Sequence, residues 1–338
     1  MFSEVMEYFG LEKELDHLGF FETEAQAHLE KELKKIIAQG RLIALSGIVG
    51  SGKTTFLQRL INDLSSTKEI IVSRSLAVES DKVSLSTLIT ALFYDLSTEK
   101  DLKVPTQPEK RERRLLALIQ KCHRGLESAD SFAGESLHAI VALFVDDAHG
   151  LHHRTLVGLK RLIELVRHNG GTLSVILAGH PKLKNDLKRP ALEEIGGRTN
   201  AFALEGIRGH QEEYIEWVLK QATKNKLQPT EILTQEAITF LGERLSTPLQ
   251  IEQYLTLAMT EAYQVGVKPI TAEFMETVLA IGLDDLEPSL IRHGYNAKTL
   301  AELLNVRTSE VRSFLHGQLP PGRTTDMREQ MLKIGIPL

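Results

Sequence analysis

The sequence predicts an α/β fold: a doubly wound parallel sheet flanked by helices, continued by an all-helical region. Three features point there. Apolar runs at 42–45, 139–145 and 172–178 are continuous rather than alternating, as strands covered on both faces require. Helical spacings lie between them, the pattern of parallel strands joined by crossover helices. Beyond about Gly206 the strand signals cease and helical periodicity alone continues.

Taken in order, residues 23–39 carry Ala27, Leu29, Leu33 and Ile37 at helical spacing. Gly40 stops this helix before Leu42, Ile43, Ala44 and Leu45. A glycine-rich stretch follows, and Phe56, Leu57, Leu60 and Leu64 then make 54–64 a helix. Residues 70–72 read as a short second strand and 85–96 as a helix. A further helix, 111–126, follows the turn-forming Pro105 and Pro108. Leu156, Leu159, Leu162, Ile163 and Val166 mark the helix between the third strand, 139–145, and the fourth, 172–178. Helical patterns follow at 212–224, 234–245, 248–263 and 272–281. Residues 282–288, Gly-Leu-Asp-Asp-Leu-Glu-Pro, read as a linker, and 299–304 and 309–315 as two short helices. No internal repeat or low-complexity segment interrupts this order.

A chain of 338 residues predicts more than one folded unit. Its 42% apolar and 25% charged residues suit a globular protein with a substantial core. The net charge of -5 means that any nucleic-acid function must rest on a local basic surface. Cys122 is the single cysteine, so a disulfide scaffold and a cysteine zinc site are excluded, and a reducing, cytoplasmic location is expected. Glu4, Glu7, Glu12, Glu14 and Asp16 give residues 1–16 the wrong charge for a signal peptide. No apolar run reaches membrane-spanning length, so no membrane association is expected.

The chemistry begins at Gly47-Ile48-Val49-Gly50-Ser51-Gly52-Lys53-Thr54, the phosphate-binding pattern set between a strand and a helix. Phosphates need many converging backbone N–H groups, and Gly47, Gly50 and Gly52 let the loop curl closely enough to supply them. Lys53 is expected to reach the β- and γ-phosphates of ATP and Thr54 to ligate Mg²⁺, with Thr55 following on the same turn. The strand ending Leu143-Phe144-Val145-Asp146-Asp147 supplies carboxylates. Asp146 at the tip of a neighbouring strand is expected to hold the magnesium through water, and Asp147 to align the attacking water. The alternative for both is a surface Asp-Asp turn.

With these residues placed, residues 20–253 resemble an AAA+ ATPase. The segment Leu177-Ala178-Gly179-His180-Pro181-Lys182-Leu183 is similar to that of a bacterial subgroup. This subgroup holds the ExeA-type secretion ATPases and the transposition regulators of the TnsC, TniB, IstB and MuB kind. The resemblance implies that His180 occupies the sensor-1 position, contacting the γ-phosphate or the attacking water. It places Arg198 as an arginine finger for a neighbouring subunit, with Arg189 and Arg208 as competitors, and so implies a homo-oligomer, a ring or helical filament. Where the family often carries a sensor-2 arginine, this chain reads Ser246-Thr247-Pro248-Leu249-Gln250-Ile251. Together with Asp147, one methylene shorter than the usual glutamate, this implies slow hydrolysis.

The domain expectation is therefore an N-terminal segment 1–22, an AAA+ nucleotide-binding domain 23–206, a helical lid 207–284 and a small helix-turn-helix-like tail 285–338. In the tail, Leu300, Ala301, Leu304, Val306, Val311 and Leu315 are expected to pack two helices together. Thr308 or Ser309 is expected to cap the second, leaving Arg307, Ser309, Arg312 and Ser313 outward. Residues 296–338 hold six Lys/Arg against four Asp/Glu, so the tail suits duplex DNA, and such helix pairs also dock proteins. A second basic cluster, Lys110, Arg111, Arg113 and Arg114, opens the helix before the third strand. It reads as a solvated face or a further DNA contact. The resemblance implies double-stranded DNA, a transposase and a target-selection protein as partners. The rival readings are a DNA-binding switch in replication initiation or transcription and an ExeA-type secretion ATPase.

Overall fold

A computed structural model of the chain describes residues 2–66, 70–74, 83–97, 104–127, 140–188, 192–279 and 286–338. Two helices, α1 (Ser3–Phe9) and α2 (Glu24–Ile37), precede the first strand. Thr23 and Gln26 form a reciprocal cap at the start of α2. The Thr23 N–H donates to Gln26 Oε1 at 3.1 Å and the Gln26 N–H to Thr23 Oγ1 at 3.3 Å.

The strands are β1 (Leu42–Ser46), β2 (Ile70–Arg74), β3 (Ile140–Val145), β4 (Thr172–Gly179) and β5 (Thr199–Ala203). They form one five-stranded sheet in the order β2-β3-β4-β1-β5, with every pairing parallel. Ile43, Leu45, Val141, Leu143, Val175 and Leu177 are fully buried, so the continuous apolar runs do mark strands covered on both faces. The connecting helices are α3 (Lys53–Ser66), α4 (Leu85–Leu96), α5 (Pro108–Glu127), α6 (His153–His168), α7 (Pro181–Leu187) and α8 (Glu193–Gly196). Leu88, Leu92 and Phe93 of α4, Leu115 and Ile119 of α5, and Leu159 and Val166 of α6 share one core with β3 and β4. Residue 139, expected to open the third strand, lies outside the described residues.

The chain divides into two compact units. One holds the sheet and its helices, His28–Gly47 and Lys53–Leu204; the other holds Met1–Ala27, Ile48–Gly52 and Glu205–Leu338. The second unit is helical: α9 (Gln211–Ala222), α10 (Gln235–Arg244), α11 (Pro248–Val265) and α12 (Ala272–Leu279). Val5 and Phe9 of α1 are buried in the same core as Ile215, Leu241 and Leu255. The end of the chain adds α13 (Leu286–Arg292), α14 (Ala297–Leu304), α15 (Thr308–Leu315) and α16 (Pro321–Lys333) around Leu290, Tyr295, Leu300, Val311, Phe314, Met327 and Met331.

Three expectations change here. Leu286, Glu287 and Pro288 form the first turn of α13 rather than linker, proline being tolerated where an N–H has no partner in the helix; residues 282–285 lie outside the described residues. Arg307, with extended backbone, occupies the cap of α15 without a side-chain hydrogen bond, and Thr308 is already helical. The expected pairing of two tail helices becomes part of a larger bundle, because α13 and α16 close over the same core. Among the described residues no helix is long and apolar enough to cross a membrane.

One half-buried acid gives the helical unit a pH response. The Tyr214 hydroxyl donates to Glu252 Oε1 at 2.6 Å. Burial raises the Glu252 carboxyl above the usual carboxylate range, outweighing the Tyr214 hydrogen bond, which lowers it; Asp16 adds to the rise. The unfolded chain therefore releases this proton first. Stability is full below the unfolded pKa and falls as pH rises through the window up to the folded pKa. Glu252→Gln, which keeps an acceptor for Tyr214, is expected to gain Tm relative to the parent as pH rises from 4 to 7, measured by thermal melts at both ends.

Candidate nucleotide site

Ser46 ends β1 beside Gly179 and Ala203, and the Gly47 N–H donates to the Gly179 carbonyl at 3.1 Å. The chain then curls back: the Ser51 N–H bonds the Ile48 carbonyl at 3.2 Å. Gly50 (φ 80°) and Gly52 (φ 84°) lie in the left-handed region that side chains disfavour. Gly47 does not, so two of the three glycines, rather than all three, provide the conformational freedom. A Cβ on Gly52 would meet nothing within 4 Å, leaving the backbone open to a ligand, whereas one on Gly50 would come within 2.7 Å of Leu249 Cβ. Ile48 and Val49 are half-buried and Ser51 is buried. The Val49 N–H donates to the Arg292 carbonyl at 2.9 Å, so a phosphate reaching that group has to displace a protein acceptor.

At the start of α3, Lys53 is buried and its Nζ donates to the Gly47 carbonyl at 2.8 Å. Burial lowers its pKa, opposed by the carboxylates of Asp146 and Asp147. The Thr54 hydroxyl donates to Asp146 Oδ2 at 2.9 Å, and Asp146 Oδ1 accepts the Asp147 N–H at 2.9 Å. Asp146 does not come from the strand adjoining β1: β4 lies between β1 and β3. The carboxylate nevertheless reaches Thr54, because all three strands end at the same edge. Thr55, next along α3, is exposed. This set fits a magnesium nucleotide: the hydroxyl and carboxylate oxygens are the hard ligands Mg²⁺ takes, and the ammonium and open loop suit phosphate.

Asp147 follows in the left-handed conformation (φ 51°, ψ 32°), and its side chain is exposed. His180 begins α7 directly after β4. Between them stands His149, which the sequence did not single out. Its ring meets that of His180 edge to face with centroids 4.0 Å apart, and its Nδ1 lies 3.9 Å from Asp147 Oδ1. The available signal was an Asp-x-His spacing, and it acquires meaning only once the turn at Asp147 brings both side chains to one side.

Arg198 behaves differently. It precedes β5, whose first residue pairs with Leu42 and whose last pairs with Ser46. Arg198 therefore sits at the opposite end of the sheet, about 16 Å along the strand from the loop end of β1. There it is ion-paired with Glu164 at 2.9 Å, 64% of its side chain exposed, over a shallow pocket lined also by Arg41, Lys160 and Arg167. Arg208 lies in the turn before α9; Arg189 is outside the described residues.

In α11, Thr247 caps the helix by accepting the Gln250 N–H at 3.3 Å, while Gln250 Oε1 accepts from the Ser246 N–H at 3.2 Å. No lysine or arginine occurs in α11. Of the basic positions, Lys110 and Arg113 are exposed. Arg111 turns toward α4 and donates to Ser86 Oγ, and Arg114 is half-buried. In the tail Arg307, Ser309 and Arg312 are exposed and Ser313 is half-buried.

Residues 37–187 match the family model described as an AAA domain, and this part of the chain is an AAA-type P-loop domain. Comparison with curated proteins finds none that matches. Among solved structures, the chain aligns with Cdc6p from Pyrobaculum aerophilum at 17% identity, covering 98% of this chain and 90% of that one with a TM-score of 0.47. It aligns with Drosophila ORC bound to DNA at 14% identity, covering 97% and 83%, TM-score 0.48. For the RuvB Holliday junction branch migration motor of Thermotoga maritima the values are 15%, 97% and 92%, and 0.47. Likeness at this level carries no statement about ligand or partner.

Loss of the Lys53 ammonium removes a charge-assisted contact worth about 2–3 kcal/mol. Lys53→Ala is accordingly expected to weaken ATP binding by tens of times to about a hundredfold in a fluorescent-nucleotide titration. Asp146→Asn is expected to leave metal-free nucleotide binding nearly intact and to abolish its enhancement by Mg²⁺.

Proposed function

We propose that this chain is an ATP-dependent AAA+ regulator of DNA transposition. ATP assembles copies of it into a ring or filament on duplex DNA, and the assembly presents a target site to a transposase and a target-selection partner. In this reading residues 23–206 bind the nucleotide, 207–284 form the lid and 285–338 the tail. The carrying observation is the position of Arg198, at the end of the sheet opposite its own loop and exposed. A cation there cannot serve the γ-phosphate of its own subunit, but it can complete the site of a neighbour.

Within one subunit, Gly47 to Gly52 cradle the phosphates, Lys53 neutralises their charge, and Thr54 and Asp146 hold magnesium. Bound Mg²⁺ would supply charge neutralisation at the phosphates. Asp147 orients water and His180 reads the γ-phosphate. The short reach of Asp147 and the absence of cationic residues from α11 favour slow hydrolysis, so ATP acts chiefly as an assembly signal and its hydrolysis dissolves the assembly. DNA contact rests on the exposed Arg307, Ser309 and Arg312, with Lys110 and Arg113 as a second basic face. Such contacts are dominated by phosphate charge and weaken steeply with salt. Transposition itself rests on the resemblance carried by residues 177–183.

Binding to unrelated duplexes with ATP, ADP or no nucleotide, at two salt concentrations, is the test. ATP-dependent, salt-sensitive and sequence-indifferent association is expected. A strong preference for one sequence would favour an initiator or transcriptional switch, and association indifferent to nucleotide would contradict the proposal. Arg198→Ala is expected to keep ATP affinity while losing hydrolysis and ATP-dependent assembly, read by light scattering.

A further inference from the structure

We infer that Asp147, His149 and His180 form a binding site for a divalent first-row transition metal, with Zn²⁺ as the representative ion, distinct from the magnesium position at Thr54 and Asp146. One carboxylate oxygen and one nitrogen from each imidazole lie within 4.8 Å of one another. Zinc bonds imidazole nitrogen at about 2.0–2.1 Å and carboxylate oxygen at about 2.0–2.2 Å, which sets tetrahedral ligand atoms about 3.3 Å apart. The remaining closure is small, and the exposed Asp147 side chain can swing to supply it.

The backbone brings the three together. The left-handed Asp147 starts the short turn Ala148–Gly150, which carries His149 back across the end of β4. Gly179 permits that approach: a Cβ there would stand 3.1 Å from the His149 nitrogen and 3.2 Å from its Cβ. His180 is the next residue, and the two rings meet at 4.0 Å. Two imidazoles with one carboxylate suit zinc, cobalt, nickel or iron and are a poor choice for magnesium, which prefers oxygen ligands. The neighbouring Thr54 and Asp146 offer oxygen alone, so the two positions differ in the ions they select.

A regulatory consequence follows and rests on the proposed ATPase reading. An ion here removes Asp147 and His180 from the attacking water and the γ-phosphate, so a transition metal would arrest hydrolysis and prolong the ATP-bound assembly.

Cobalt reports the site directly, through the visible absorption of Co²⁺ bound by imidazole. With nucleotide-free full-length chain in excess Mg²⁺, one Co²⁺ per chain is expected to give a visible band that Zn²⁺ abolishes. His149→Asn and His180→Asn are each expected to weaken binding more than about tenfold. The double variant His152→Asn, His153→Asn, which removes the other adjacent ring pair, is expected to bind as the parent does. A parent chain without the band, or either His149→Asn or His180→Asn with unchanged affinity, would overturn the site. Hydrolysis by the parent is measured separately with a zinc chelator; its absence there would sink the ATPase reading and leave the cobalt result standing.

Discussion

Every strand of the sheet runs in the same direction, and this constraint decides where chemistry can gather. The carboxyl ends of β1, β3 and β4 lie along one edge, so the residues that follow them meet: the glycine loop, Asp146 with Asp147, and His180. The Thr54 to Asp146 hydrogen bond spans the width of β4 and ties α3 to β3. The same constraint exiles Arg198, which precedes a strand and so stands at the other edge. Arg198 shares that edge with Arg41, Lys160 and Arg167, and its exposed side chain is the one proposed to serve a neighbouring subunit.

The electrostatics of the loop suit phosphate. Lys53 is buried on a backbone carbonyl with its charge disfavoured by desolvation, so an incoming phosphate replaces a weak partner with a strong one. Opposing this, the Val49 N–H is engaged by the Arg292 carbonyl, and that bond must be exchanged before the loop can use all its donors. A phosphate held by that N–H would therefore be coupled to α13, at the start of the C-terminal bundle, through this one bond. The coupling is modest, because one neutral hydrogen bond is worth about 1 kcal/mol.

Much of the sheet was legible because deep burial on both faces leaves uninterrupted apolar runs, as in β1 and β4. Strand β5 was not legible: it lies at an edge, its Thr-Asn-Ala-Phe-Ala is mostly exposed, and it needs no apolar run. Helices α1, α7 and α16 escaped for related reasons. The first two are short, and α16 buries Met327 and Met331 amid polar residues that give little periodicity. The phosphate loop and Asp146 could be read because their chemistry is encoded in contiguous residues. The strand order that places β4 between them leaves no mark on either motif. Likewise the meeting of His149 with His180 depends on a left-handed backbone at Asp147, and the turning of Arg111 onto α4 depends on packing.

The central claim is that one subunit's Lys53 and its neighbour's Arg198 serve a single ATP. Mixing two variants tests it most directly, because Lys53→Ala retains the finger and Arg198→Ala retains the cradle. Each is expected to be inactive alone, and an equimolar mixture in Mg²⁺ and duplex DNA is expected to recover hydrolysis, because the intact cradle of Arg198→Ala then meets the intact finger of Lys53→Ala at a shared interface. A mixture as inactive as its components, or an Arg198→Ala chain that hydrolyses ATP at the parent rate, would contradict the account.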